Sequence, residues 1–471
     1  MNSQREDLHE NRYRELVMPR LTPRASLARA RKRARERFTP ELLRRLGLIA
    51  VALTILGLSL IGLFSLTRGT PVERLRRDGA NGLAAVGDPL FTRTMEVYTG
   101  TPLLSGNAVE VLVNGDGTYP ALWRDLEGAE RTITIQMYYS QPGDVAERLA
   151  RILADRVRRG VRVLLLLDGF GSKQLQGDWL HAVRRSGVEV LLFRDLAWYQ
   201  VDRAASRSHV RAVVIDGRIG YTGGFGIADQ WLGDGHHADQ WRETNVRFRG
   251  PVVAQLQAAF AVAWAEESGE LLVGDQFYPR LAVDSAGPVR AGLAFASPTI
   301  GSTEAERLLA LTIAGARRTL YISNSYFLPD DDFRRFLREA AAGGVDVRVL
   351  TASRTQTDVK SVYYASRARY EELLTSGVRM YEYGPAMMHA KTIVVDGAWS
   401  AIGSMNFDNR SLALNNESNL LALDAGVGAL LDSLFLDDLR HSREVTLASF
   451  RKRPFWQRFL ERVATLFSRI L

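Results

Sequence analysis

His389-Ala390-Lys391, then Asp396, then Gly403-Ser404-Met405-Asn406 is the stretch on which the reading of this chain turns. It sets an imidazole, an ammonium, a hydroxyl and an amide where one phosphate could touch all four. The apolar run Thr392-Ile393-Val394-Val395 reads as a buried strand. Side chains alternate along a strand, so His389 and Lys391 share one face just before it. A second apolar run, Trp399 to Ile402, precedes Gly403, and Ser404 and Asn406 can share a face in the same way. Small residues there let backbone amides approach an anion. An imperfect copy stands upstream as His209-Val210-Arg211, Asp216 and Gly223-Gly224-Phe225-Gly226. Two copies predict one active site built from two halves.

The rest of the chain repeats in the same order. Ile135-Gln136-Met137-Tyr138-Tyr139 answers to Ile322-Ser323-Asn324-Ser325-Tyr326-Phe327, and Arg159-Gly160-Val161-Arg162-Val163 to Gly343-Gly344-Val345-Asp346-Val347. Ser186-Gly187-Val188 answers to Ser376-Gly377-Val378. Helical stretches such as Ala146 to Arg158 and Asp331 to Ala342 lie between the strands. Strands alternating with helices predict an α/β fold of two units with largely parallel sheets, because parallel strands need a helical crossover.

These residues resemble the phospholipase D superfamily, and within it the bacterial cardiolipin synthases, over roughly Leu104 to Leu471. The superfamily signature is His-x-Lys-x4-Asp followed by Gly-Ser-x-x-Asn or a close variant, carried twice. Segments similar to the synthase branch include Tyr326-Phe327-Leu328-Pro329-Asp330, Trp241-Arg242-Glu243-Thr244 and Asp408-Asn409-Arg410-Ser411 with Asn415 and Glu417. The resemblance implies two phospholipase D-like repeats packed face to face around a pseudo-two-fold axis. It also implies that His209, Arg211, Asp216, His389, Lys391, Asp396, Glu243 and Glu417 form the catalytic set, with Ser404 and Asn406 binding substrate. Beside glycines and after apolar runs, however, Asp216 and Asp396 read as turn-forming rather than catalytic.

The chemistry suits these groups. A phosphodiester has a poor leaving group, so one displacement is better split in two through a covalent intermediate. One neutral imidazole attacks phosphorus while another protonates the departing oxygen. Lys391 and Arg211 neutralise the non-bridging oxygens as charge builds. Each imidazole needs a carboxylate on its other nitrogen, and the resemblance puts Glu243 and Glu417 there. It also gives the nucleophile's role to His209. Two departures stand in the first copy: Arg211 replaces the usual Lys, and Gly226 stands where Asn is usual, which removes one hydrogen bond to phosphate. The resemblance implies transfer of a phosphatidyl group from one phosphatidylglycerol to another, giving cardiolipin and glycerol. Phosphatidylethanolamine is an alternative donor; no cofactor, metal, nucleotide or nucleic acid is called for. The rival functions are a hydrolytic phospholipase D, a nucleic-acid phosphodiesterase and a lipid-binding protein with a decayed site. His236-His237 with Asp239 lacks the further ligands a metal would need.

Leu46 to Leu66 is uncharged and long enough to cross a hydrocarbon layer of roughly 30 Å. Arg and Lys crowd Arg24 to Arg45 before it, so positive-inside reasoning keeps the N-terminus cytoplasmic in a bacterial inner membrane and leaves the side of the catalytic part open. Near the other end, Phe450 to Leu471 sets Phe, Leu and Ile against Arg at helical spacing, as an interfacial helix would. A net charge of +8 favours anionic membrane lipid as a partner. The expected division is a basic arm over 1–45, a transmembrane helix over 46–66, a linker over 67–103, repeats over 104–275 and 276–445, and a basic amphipathic helix over 446–471.

Overall fold

The computed structural model describes residues 40–66, 72–75, 84–195, 207–280, 286–297 and 304–465. The chain divides into two units, Met1–Leu66 and Thr67–Leu471. In the first, the described part is one helix, Pro40–Leu66, of which Pro40–Leu60 has a mean hydropathy of 1.8 and no buried residue. By length and composition it is a candidate membrane span. It begins six residues before the apolar run, because Pro40 fits a first helical turn and Glu41 pairs with Arg45 one turn on. The greater part of the basic arm lies outside the described residues.

The second unit is α/β. Its first half carries β1 (Leu104–Val113), β2 (Thr132–Met137), β3 (Arg162–Asp168), β4 (Glu189–Phe193), β5 (Ala212–Ile215), β6 (Ile219–Thr222), β7 (Trp241–Arg242) and β8 (Thr244–Arg249). The second half carries β9 (Val289–Ala296), β10 (Thr319–Ser323), β11 (Asp346–Ala352), β12 (Arg379–Tyr383), β13 (Met387–Met388), β14 (Thr392–Val395), β15 (Trp399–Gly403), β16 (Glu417–Leu423) and β17 (Ser442–Val445). Fifteen strands form one sheet in the order β17-β12-β11-β10-β14-β15-β16-β9-β1-β8-β6-β5-β2-β3-β4. Read outward from the β9–β1 junction, the halves match strand for strand as far as β12 and β4. Residues of both halves, among them Val246, Phe248, Val394 and Leu420, share one core at the junction.

Only β2-β3-β4 and β10-β11-β12 run parallel; the other pairings in this sheet are antiparallel. The expectation of largely parallel sheets is therefore corrected, and the motif itself supplies the reason. Asp216 (φ 54°) and Gly217 (φ 62°), like Asp396 (φ 55°) and Gly397 (φ 66°), occupy the left-handed region. Successive positive φ angles make the tight turn of a hairpin, so each motif folds back as β5–β6 or β14–β15. The parallel strands are joined by helices with one apolar stripe. Asp144–Arg158 buries Val145, Ala146, Leu149, Ile152 and Leu153 on the sheet, with acids in its first turn and arginines in its last.

The linker expected over 67–103 is also corrected. Pro89–Thr99 is a helix capped by Asp88, whose carboxylate accepts from the Leu90 N–H at 2.8 Å. Phe91 and Met95 are buried in the core of the second half, and Phe91 meets Trp399 edge-on at 5.2 Å. A segment that precedes the first half thus completes the second. Tyr363 to Tyr370 runs from within the helix Lys360–Arg367 to the start of the helix Tyr370–Thr375.

Candidate active site

Strand pairing between the halves places the two histidines. β13 runs parallel to β7, and the His389 N–H donates to the Arg242 carbonyl at 2.8 Å. Ser208 bridges Asn416, and the His209 N–H donates to the Asn416 carbonyl at 2.9 Å. Each histidine therefore lies beside the residue preceding the other half's glutamate. His389 Nδ1 donates to Glu243 Oε2 at 2.5 Å, and His209 Nδ1 donates to both oxygens of Glu417 at 3.0 Å. The histidine–carboxylate pairs are exchanged between the repeats.

Both imidazoles open on one cavity of about 320 Å³, lined also by Tyr138, Arg211, Trp231, Trp241, Tyr326 and Asn406. Tyr138 meets His209 edge-on at 4.9 Å, and Trp241 lies 4.5 Å from His389. These rings limit how each imidazole can rotate. Glu243 is held further by the Thr244 N–H at 3.0 Å and the Trp231 indole N–H at 3.3 Å. Burial, then Arg211 and Lys391, pulls the His209 pKa well below the usual imidazole value; burial, then Lys391 and Arg211, does the same to His389. Both rings are consequently neutral in the free enzyme, the state in which His209 can act as a nucleophile. Burial pushes Glu417 up to about 8 against hydrogen bonds from Ser404 and Ser411, and it raises Glu243 against the pull of Lys391. It lowers Lys391 to about 7 despite Glu243 nearby. A bound phosphodiester anion would favour the charged forms of Lys391 and His389.

Arg211 and Lys391 are anchored differently. Arg211 donates from Nε to the Phe225 carbonyl at 3.1 Å and from Nη1 to the His209 carbonyl at 2.9 Å, with its guanidinium 5.8 Å from the Tyr138 ring. Lys391 donates to the His389 carbonyl at 2.6 Å and to Ser325 Oγ at 2.7 Å, and its Nζ stands 3.2 Å from both ring nitrogens of His389. In the repeat alignment Ser325 corresponds to Tyr138, so the larger cation faces the larger partner. Asn406 lines the cavity with its side-chain oxygen buried and unpaired, a polar end aimed at a ligand.

Three residues of the expected site do other work. Asp216 accepts from the N–H groups of Glu130, Arg131 and Thr132 at 2.8–3.0 Å, and Asp396 from those of Arg317, Arg318 and Thr319 at 2.7–3.0 Å. Each pins its hairpin to the start of β2 or β10, and neither lines the cavity. Ser404 is fully buried; it donates to Glu417 Oε2 at 2.5 Å and accepts from the Ser418 N–H at 3.0 Å. It positions the carboxylate of Glu417 rather than lining the cavity. Gly226 has no room for the asparagine usual at its position: a Cβ there would stand 2.7 Å from Trp231 and 2.8 Å from the Tyr139 carbonyl.

Sequence reading did not single out Trp231, Asp358 or Tyr139 as cavity residues. Tyr326 donates to Asp358 at 2.7 Å, a pairing that no spacing rule reveals. Asp408 caps the short helix Asn409–Ala413 by accepting from the Ser411 N–H at 2.8 Å, and burial pushes its carboxyl up to about 7. His236 meets the Tyr383 hydroxyl at 3.2 Å and lies 4.8 Å from the His441 ring.

The family model described as "Cardiolipin synthase, PLD-like domain" matches residues 122–264 and again 309–439. The chain is 35% identical to a cardiolipin synthase of Geobacillus kaustophilus, over 79% of this chain and 74% of that protein. It is 34% identical to cardiolipin synthase A of Pseudomonas entomophila, over 80% of this chain and 78% of that one. A solved phosphatidylserine synthase of Haemophilus influenzae superposes with a TM-score of 0.60 at 15% identity, covering 81% of this chain and all of that one, and so shares the fold. Duplicated fold, paired histidines and relatives together define a phospholipase D-type phosphatidyltransferase. Within that class the chain belongs to the cardiolipin synthase family.

Proposed function

We propose that this enzyme converts two phosphatidylglycerol molecules to cardiolipin and glycerol through a phosphohistidine. The observation that carries the reading is the exchanged pair of buried, neutral histidines opening on one cavity with Arg211 and Asn406. His209 Nε2 attacks phosphorus, the P–N bond forms, and the P–O bond to glycerol breaks. His389, which takes up a proton on Nε2 as the anionic substrate binds, gives it to the departing glycerol oxygen. A second phosphatidylglycerol then enters; His389 takes the proton from its terminal hydroxyl, whose oxygen displaces His209 from phosphorus. Glu417 and Glu243 steady the positive charge that each ring carries in turn, while Arg211 and Lys391 face the phosphoryl oxygens. The P–N bond conserves transfer potential, so the two-step exchange balances without nucleotide.

Homology to membrane-lipid synthases and the helix Pro40–Leu66 support a location in a bacterial cell membrane, and the basic residues before that helix support a cytoplasmic N-terminus. The apolar helix also disfavours a nucleic-acid substrate. The test is product analysis by mass spectrometry: purified enzyme in detergent with phosphatidylglycerol, chelator present and nucleotide absent. Cardiolipin and glycerol in equal amounts are expected, with loss of both in His209→Ala and His389→Ala. A phosphatidyl adduct on the peptide containing His209 would identify the nucleophile. Phosphatidic acid as sole product would make the enzyme a hydrolase instead.

A further inference from the structure

We propose that the helix Phe455–Thr465 is a docking face for an anionic phospholipid bilayer, independent of the chemistry at the histidines. Phe455, Trp456, Phe459, Leu460 and Val463 are all exposed, the first two at 71% and 70%. At about 100° per residue they occupy one arc of about 140°. Arg458 and Arg462 adjoin this arc at its Phe455 edge, both exposed. Aromatic and aliphatic groups on one face with arginines along its edge are what a helix lying in a lipid interface requires.

The opposite face is bolted to the catalytic unit. Ala464 packs with Leu328 and Ala365, while buried Glu461 pairs with Arg453 at 2.8 Å and Arg367 at 3.5 Å. The surface of attachment is the helix Lys360–Arg367, whose Val362 lines the catalytic cavity. The apolar arc is therefore rigidly tied to the wall of the active site rather than hung on a tether. Charge selects the occupant. Beside the helix a second cavity of about 590 Å³ is lined by Arg354, Arg367, Arg443, Arg453 and Gln457, against the acids Glu382 and Glu444. Glu461 holds Arg367 and Arg453 from the helix side, so four arginines meet three acids there, and Gln457 of the docking helix forms part of the wall. Anionic headgroups would meet Arg458 and Arg462 along the edge of the apolar arc.

The chain has no cysteine, so Phe459→Cys, Val463→Cys and Arg458→Cys each create one thiol for a nitroxide spin label in the full-length protein. The labelled proteins are reconstituted in vesicles of phosphatidylcholine alone and of phosphatidylcholine with phosphatidylserine, which keeps the proposed phosphatidylglycerol reaction out of the readout. In the anionic vesicles the ratio of oxygen to nickel-complex accessibility should rise several-fold at 459 and 463 and stay water-like at 458. Water-like values at all three positions in both vesicles would overturn the docking face. Equal immersion in both vesicles would overturn the anionic partner. Labels shielded from both reagents, with spin–spin broadening between molecules, would replace the bilayer by a second copy of the chain.

Discussion

At the scale of single residues the site rests on contacts too short to tolerate substitution. Gly226→Asn would restore the residue usual at that position, yet its Cβ meets the Trp231 ring and a backbone carbonyl at under 3 Å. Trp231 stands edge-on to His389 at 5.5 Å and holds Glu243, so displacing it disturbs the acid–base pair. A fall in kcat of roughly tenfold is expected, about 1.4 kcal/mol on the barrier, and shrinking Trp231 in the same protein should recover part of it. A rise in kcat for the single variant would show instead that the missing amide limits catalysis. Lys391 sets the pH dependence. Its pKa, lowered to about 7 by burial, means that the free enzyme carries this charge below pH 7 and loses it above. Because kcat/KM reports the free enzyme, it should decline as pH rises through about 7. The bound anion favours the charged lysine, so kcat should decline only at higher pH. A kcat/KM profile flat to pH 9 would exclude Lys391 as the titrating cation. Asp396 belongs to stability: Asp396→Ala loses three backbone hydrogen bonds and leaves a Cβ residue at φ 55°. A cost of roughly 2–4 kcal/mol follows, read as a lower Tm with kcat of the folded enzyme retained. The motif residues were legible in the sequence because they recur twice at fixed spacing; Trp231 and Asp358 were not, since they reach the cavity from segments outside the repeat pattern.

Among elements, the two hairpins and the helix Pro89–Thr99 show where local patterns inform and where they fail. Apolar runs around Asp216-Gly217 and Asp396-Gly397 mark strands correctly, but α/β alternation on its own points to parallel pairing. The turn residues are the better guide, because two successive left-handed residues compel the chain to reverse. For Pro89–Thr99 the sequence shows an N-cap, Pro at the first turn and a following Gly100, all signs of a helix. What it buries is a tertiary fact: Phe91 and Met95 fill a gap beside Trp399, some 300 residues further along the chain. Phe91→Ala should therefore destabilise the second half by roughly 3–5 kcal/mol. Hydrogen exchange should reveal the loss in peptides from β14 and β15, which carry the stretch around Trp399, more than in peptides from β2 and β3. Equal loss in both sets would mean that the two halves share their stability entirely.

For the whole molecule, duplication is less a matter of two domains than of two incomplete ones. β1 and β9 pair across the junction, a single core takes residues from both halves, and each imidazole is oriented by a carboxylate from the opposite repeat. The sequence declared the duplication, but which glutamate serves which histidine depends on how the repeats face each other, and strand periodicity within one repeat says nothing about that. The exchange has an energetic consequence at the Arg242–Asp438 pair, which is buried and joins the halves at 2.8 Å. Arg242 also donates to the Thr244 hydroxyl at 2.9 Å, and its own carbonyl receives the His389 N–H. Arg242→Ala leaves the Asp438 carboxylate buried without its cation, a loss of about 3–5 kcal/mol. If the halves depend on each other as this geometry requires, calorimetry of the variant should show one unfolding transition for residues 84–465, moved to lower temperature, with activity lost in step. Two separated transitions, one for each repeat, would mean that each half folds alone and that the exchanged carboxylates orient the histidines without holding the protein together.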